Sequence, residues 1–237
     1  MSRCLVLSVG MLWLGVAQHA YCLSWFGATL AGVPCNGKDQ GFGPYDYFDV
    51  NDKTDPLWQE GRLWEIDRVH TGKALRALAK GTAISQADFQ IAADNLDYTL
   101  RAIPNHPVAL QSMIRLDRIR RNSDRRLISI VPPPECYLQR AEAFRPTQSH
   151  IPQLFGIYLD GLGLVDKEID QYRRALALND QDPEVHYNLG LALIKDGKLD
   201  EAAEHARIAY KLGFPLPGLR RKLEALGYFK KSVADQP

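Results

Sequence analysis

The feature that most constrains this chain is a spacing. When SHIPQLFGIYLDGLGLVDKEIDQYRRALALND is aligned with PEVHYNLGLALIKDGKLDEAAEHARIAYKLGFPL, Gly156 falls on Gly190, Gly163 on Gly197, Glu168 on Ala202 and Ala175 on Ala209, each pair 34 residues apart. A period of this length marks a supersecondary unit that cannot bury its apolar face alone, so neighbouring units must stack to make a core. The punctuation is helical. Asp182 is placed to cap a helix whose first turn holds Pro183, Asp196-Gly197 is a turn, and Gly213 follows the last helix of the unit ahead of Pro215 and Pro217. The expected fold class is all-α.

Period and small-residue positions resemble the tetratricopeptide repeat, a right-handed solenoid of helical hairpins in which small residues let the first helix of each unit approach the second. Two units run 149–182 and 183–216. Before them, ECYLQRAEAFRP has Ala141 and Pro146 at the small and closing positions of a second helix, which gives a unit at 107–148. That unit is longer than its neighbours. The excess falls in NSDRRLISIVPPP, whose three consecutive prolines are expected to exclude helix. A degenerate unit, 73–106, has a clear second helix from Gln86 to Ala102. Residues 217–237 are expected to form a C-terminal capping helix, with Leu219, Leu223 and Leu226 on one face. Residues 23–72 are expected to be an extended N-terminal arm. The segments GPYDY, LDYTLRAIPNHPVAL, HYNLGLAL and AYKLGFPLPGLRRKL together resemble a family of exported bacterial tetratricopeptide proteins. The resemblance covers most of the chain after Cys35 and implies a fold and a compartment without implying a particular activity.

The N-terminus agrees with export. Arg3 precedes an apolar run from Cys4 to Ala17, and small residues follow near Ala20, which is the layout of a secretory signal peptide over residues 1–22. Cleavage after Ala20 or after Cys22 both fit in part. The run is short for a bilayer span, and an uncleaved anchor is the alternative, because LSWFGATLAGV extends the apolar character. Tyr21 before Cys22 argues against a lipid-anchored cysteine. Of the four cysteines, Cys35 and Cys136 remain clear of this segment, and an oxidising compartment such as the bacterial periplasm favours a disulfide between them over two free thiols.

Chemistry-bearing constellations are missing from the sequence. The 29 basic and 28 acidic residues leave a formal charge of +1, so no global field recruits nucleic acid or an anionic membrane. DGLGL lacks a preceding strand and a third glycine, so it is no nucleotide fingerprint. There is no CxxC, and the histidines scatter, with His186 and His205 on different helices of one unit. No catalytic residue, metal or cofactor is expected, and the chain reads as a non-enzyme.

The resemblance also implies a binding surface, since the first helices of such repeats line a concave groove. Its positions fall here on Gln111, Ser112, Arg115 and Arg118, then Gln153, Leu154, Ile157 and Asp160, then Tyr187, Asn188, Leu191, Ile194 and Lys195. The mixture of guanidinium, amide and aliphatic groups suits an extended partner segment that bears carboxylates. Asn188 matches a carboxylate-clamp position, whereas Gln111 and Arg115 depart from that clamp, so capture of a chaperone C-terminus is not implied. The aromatic stretch CNGKDQGFGPYDYFD needs burial. It is expected to pack along the stack, tied by Cys35 to Cys136, and the alternative is that it lies in the groove as a displaceable mimic. The expected role is a non-catalytic adaptor in envelope protein assembly. The rival roles are a structural subunit of an envelope complex and a metal- or cofactor-handling accessory.

Overall fold

The computed structural model describes residues 23–39, 43–49, 66–123 and 132–228. The expected signal segment, the centre of the insertion at 124–131 and the last residues of the capping segment lie outside the described residues. A π-helical turn, Ile66–Thr71, leads into α1, Gly72–Leu78. There follow α2, Gln86–Ala102; α3, Pro107–Arg121; α4, Pro134–Phe144; α5, His150–Asp160; α6, Val165–Leu178; α7, Pro183–Lys195; α8, Leu199–Lys211; and α9, Gly218–Ala225. Among the described residues helix is therefore present from Ile66 on, inside the stretch read from sequence as arm. The proline run also needs correcting. Pro132 and Pro133 stay outside helix, but Pro134 opens α4 at a first-turn position, where its missing N–H would have had no partner anyway.

Three helix starts carry a side-chain cap. Ser85 accepts from the Asp88 N–H and starts α2, while Asp182 accepts from the N–H groups of Glu184 and Val185 and starts α7. At α3 the cap is His106, whose Nδ1 accepts from the Ala109 N–H while its Nε2 faces the Asp67 carboxylate at 3.0 Å. Nδ1 must carry no proton, so Nε2–H is the donor to Asp67. Gly163 and Gly197 hold φ of +71° and +78° at the same point of successive units, a conformation that L side chains avoid in the turn joining the two helices.

The helices form the antiparallel hairpins α1/α2, α3/α4, α5/α6 and α7/α8, with α9 closing the end. First helices meet at three places in the stack, α1 with α3, α3 with α5 and α7 with α9, whereas among the described residues no comparable contact joins α5 to α7, nor α2 to α4, α4 to α6 or α6 to α8. First helices thus form the inner layer. One buried apolar cluster runs from α1 to α5 and a second from α6 to α9, and Ile157 on α5 packs against both. The core is therefore continuous, each hairpin covered by the next. This architecture is an all-α solenoid of tetratricopeptide type.

The arm crosses the second helices. Residues 23–39 fold into a small hairpin closed by a bridge between Ala28 and Pro34, and Cys35 is disulfide-bonded to Cys136 on α4, with Cα atoms 5.6 Å apart. Trp25 packs edge-on against Tyr137, with ring centroids at 5.1 Å. The guanidinium of Arg140 lies over the Trp25 ring and donates to the carbonyls of Leu23, Leu100 and Arg101, which ties the start of the arm to the C-terminus of α2. Residues 43–49 pass along the loops between units. Asp46 accepts from Arg145, Asn105 and Gln148, the Tyr47 N–H donates to Asn105, and Phe48 meets His150.

Candidate partner-binding groove

The inner face presents one stripe per first helix. On α3 the exposed side chains Gln111, Arg115 and Arg118 stand at helical spacing, while Ser112 is buried behind them. Arg115 donates to the Leu78 carbonyl at 3.3 Å, which brings it against the C-terminal end of α1. Arg118 reaches towards Gly161, beside Arg121, whose guanidinium donates to the Gly161 carbonyl at 2.6 Å. Both cations thus sit near the C-terminus of α5, where the helix dipole favours positive charge. The other two arginines of α3, Arg120 and Arg121, pair with the buried Asp117 at 2.9 and 2.8 Å.

On α5, Gln153 is half-buried and hydrogen-bonds the Glu184 carboxylate, Ile157 is half-buried between the two apolar clusters, and Leu154 is buried. On α7, Asn188, Leu191 and Ile194 are half-buried and partly open. Two of the expected groove residues are otherwise occupied. Tyr187 is buried, stacked at 4.4 Å on Phe214 and covered by Gly218 of α9, because the capping helix packs directly on α7. Lys195 is held by Asp160 at 2.5 Å and Glu168 at 2.9 Å. The second of these pairs explains a misalignment. Glu168 shares its repeat position with the small Ala202, yet it is a carboxylate buried in the hairpin, and a cation must come to it. Burial raises its pKa, and the bonds from Lys195 offset only part of that rise. The lysine is shifted upwards too, because two carboxylates together outweigh its own burial. These shifts do not mirror each other, because Lys195 serves two partners while Glu168 carries most of the desolvation.

Among the described arm residues, 23–39 and 43–49, hydrogen bonds and ring contacts go to α2, α4 and the loops between units. The alternative that the arm lies in the groove finds no support in these residues, and the rest of the stretch, 40–42 and 50–65, lies outside the described residues.

One pairing escaped sequence reasoning. His186 on α7 and His205 on α8 face each other with Nδ1 atoms 2.8 Å apart, and His186 Nε2 lies 3.0 Å from the Asp180 carbonyl. A carbonyl only accepts, so His186 Nε2 carries hydrogen. In the neutral pair His205 Nδ1–H then donates to His186 Nδ1. Burial first, and then the neighbouring His186, lowers the His205 pKa. Histidines 19 apart give no periodic signal, and only the hairpin register brings them together. Among the described residues no group of three or more His, Cys, Asp or Glu is placed to hold a metal.

The hairpin array has the architecture of a tetratricopeptide-type solenoid, and residues 166–197 match the family model described as TPR repeat. Among solved structures the chain is similar to "Crystal structure of MamA protein", at 18% identity over 70% of this chain and 85% of that one, with a TM-score of 0.47. It is also similar to MamA from Desulfovibrio magneticus RS-1, at 19% identity over 68% and 92% of the two chains and a TM-score of 0.43. A third is TTC0263, a thermophilic TPR protein in Thermus thermophilus, at 20% identity over 72% and 93% with a TM-score of 0.45. No curated protein matches the chain.

Proposed function

We propose that this protein is a non-catalytic adaptor that takes an extended segment of a partner protein along the inner face of α3, α5 and α7, in assembly work at the cell envelope. Gln111, Arg115 and Arg118 supply the polar end of the site, Gln153 and Asn188 supply amides, and Ile157 and Leu191 supply aliphatic contact. Tyr187 and Lys195 drop out of the contact set. Carboxylates on the partner would engage Arg115 and Arg118, because planar guanidinium groups bind them with two parallel hydrogen bonds.

The observation that carries this reading is that Gln111, Arg115 and Arg118 stand exposed on one face of α3 while the described arm residues 23–39 pack on the other layer. The Cys35–Cys136 disulfide supports an oxidising compartment, for which the bacterial periplasm is our reading. In-cell crosslinking followed by mass spectrometry tests the role. Wild type should capture a defined partner, and Arg115→Glu with Arg118→Glu should lose it while keeping the helical circular-dichroism signal. Undiminished capture by the folded double variant sinks the groove.

A structural-subunit reading has one observation in its favour. Leu216, Leu226 and Tyr228 are exposed together at the capped end of the stack, where another subunit could pack end-on.

A further inference from the structure

The arm hairpin displays apolar side chains that the repeat stack does not use. Phe26, Leu30 and Val33 are 43%, 38% and 58% exposed, while neighbouring Trp25 is turned inward onto Tyr137. A single exposed apolar residue is ordinary; three around one turn form a patch. No Asp, Glu, Lys or Arg occurs between Arg3 and Lys38, so the patch continues an uncharged stretch that starts in the run Cys4–Ala17. A cation stands at its edge, the exposed Lys38. Beneath the tip, a cleft of about 360 Å³ brings Thr29, Leu30 and Ala31 against Arg120 and Arg121, which the buried carboxylates of Asp117 and Glu135 balance.

We propose that this hairpin is a membrane-surface contact, in which Phe26, Leu30 and Val33 enter the interfacial layer of an anionic bilayer while Lys38 faces lipid phosphates. The backbone discriminates between lipid and a strand-adding protein partner. The N–H groups of Ala28, Thr29, Leu30, Gly32, Val33 and Cys35 are all bonded within the chain, to Gln139, Val33, Glu135, Thr29, the Thr29 hydroxyl and Gly27 respectively. A partner strand would find few donors here, whereas lipid requires that the backbone be satisfied internally. Insertion also needs a tip that keeps its shape. The disulfide and Gln139, bonded to both the N–H and the carbonyl of Ala28, hold this one to α4. A chain that still carries the run Cys4–Ala17 in a bilayer keeps Leu23 within about 20 Å of it, by the reach of the six intervening peptide steps. Apolar insertion, the flanking Lys38 and a tether act together, as stable surface binding requires more than one weak signal.

The test uses the full chain with vesicles of phosphatidylethanolamine and phosphatidylglycerol, read by hydrogen exchange at residues 26–34. Exchange of the hairpin amides should slow about tenfold on these vesicles and less on phosphatidylcholine, as expected for interfacial burial helped by anionic lipid. Phe26→Ser with Leu30→Ser and Val33→Ser should abolish the slowing with the disulfide intact. Val33→Asp, at the most exposed position, should weaken it without touching the fold. The proposal is overturned if the chain does not bind the vesicles, if it binds with the hairpin exchanging at its solution rate, or if raising protein concentration without lipid gives the same protection, which would mean a second copy covers the tip.

Discussion

Gly156→Ala is the sharpest probe of the stacking. A Cβ at this position would lie 2.5 Å from Tyr172 Cε1 and 2.8 Å from Cδ1 and Cζ, well inside the ~3.5–4 Å at which carbon atoms rest. Tyr172 is 2% exposed, so its ring has no free volume to swing into. Overpacking of this kind costs about 1–3 kcal/mol, against which the helix gains about 1 kcal/mol from replacing a mid-helix glycine by alanine. The expected net loss is about 0–2 kcal/mol. Gly190→Ala is the internal control. There the new Cβ would meet Leu219 Cδ2 at 2.6 Å, the flexible end of a side chain on the short terminal helix, so the clash relaxes and the net change should stay within about 0.5 kcal/mol. The difference follows from the repeat itself. Tyr172 and Ala206 occupy the same position in successive units, and where alanine leaves the space empty, Leu219 of the capping helix fills it. Urea unfolding gives the totals, and hydrogen exchange over residues 150–178 localises them, since stacked repeats open hairpin by hairpin. In a Tyr172→Ala background the glycine replacement should reverse sign and stabilise. If Gly156→Ala stabilises the protein with the ring in place, the close approach of α5 and α6 is wrong.

Further outcomes follow from individual contacts. Cys136→Ser, or reduction, should cost up to about 4.7 kcal/mol for a closed loop of this length and make residues 23–49 protease-sensitive while the helices persist; an arm that stays protected would mean that packing alone holds it. Arg140→Met leaves the Leu100 and Arg101 carbonyls without their donor and should cost about 3 kcal/mol, read as early unfolding of α2 and α4. Burial of Asp46 acts to raise its pKa, but the bonds from Arg145, Phe48 N–H and Asn105 outweigh it and the net shift is downward. Its contribution is therefore present above the ordinary value of 3.8 and lost as pH falls below it, so protection of residues 43–49 should fade there in wild type and lose that pH dependence in Asp46→Asn. For His205 the folded pKa lies below the ordinary 6.5, so the unfolded state takes up protons first and stability should drop as pH falls from 6.5 towards the lowered value. His205→Phe should flatten that slope in the α7/α8 hairpin, where Arg173, Glu201 and Glu204 also face the ring; an unchanged slope would remove the histidine pair as its cause.

The solenoid was legible because its signals are local or periodic. Gly156, Gly190, Gly163, Gly197 and the proline-opened helices each declare themselves within one unit, and Cys35 with Cys136 needed only a count and a compartment. The occupied residues were not legible for the opposite reason. Lys195 lies on a groove position by register, yet its availability depends on Glu168, which sits at a small-residue position in another helix, 27 residues away. Tyr187 depends on how closely α9 packs, a tertiary fact that no pattern within α7 encodes. A buried charge at a position that the repeat keeps small was the available warning, since such a group must recruit a partner from whatever helix is nearest.

The arm joins these two levels. Its placement on the second helices follows from chemistry that the inner layer lacks. Cys136, Gln139 and Arg140 lie within one turn or so of α4 and supply a covalent tie, a donor and acceptor for Ala28, and three carbonyl contacts. Arg115 and Arg118 offer the hairpin nothing equivalent, because residues 23–37 contain no carboxylate. The same lack of charge leaves Phe26, Leu30 and Val33 as the hairpin's outward chemistry. Inner stripe and outer hairpin therefore present opposite preferences on opposite layers, which makes their loss separable: Arg115→Glu with Arg118→Glu should act on partner capture alone, and Val33→Asp on surface attachment alone.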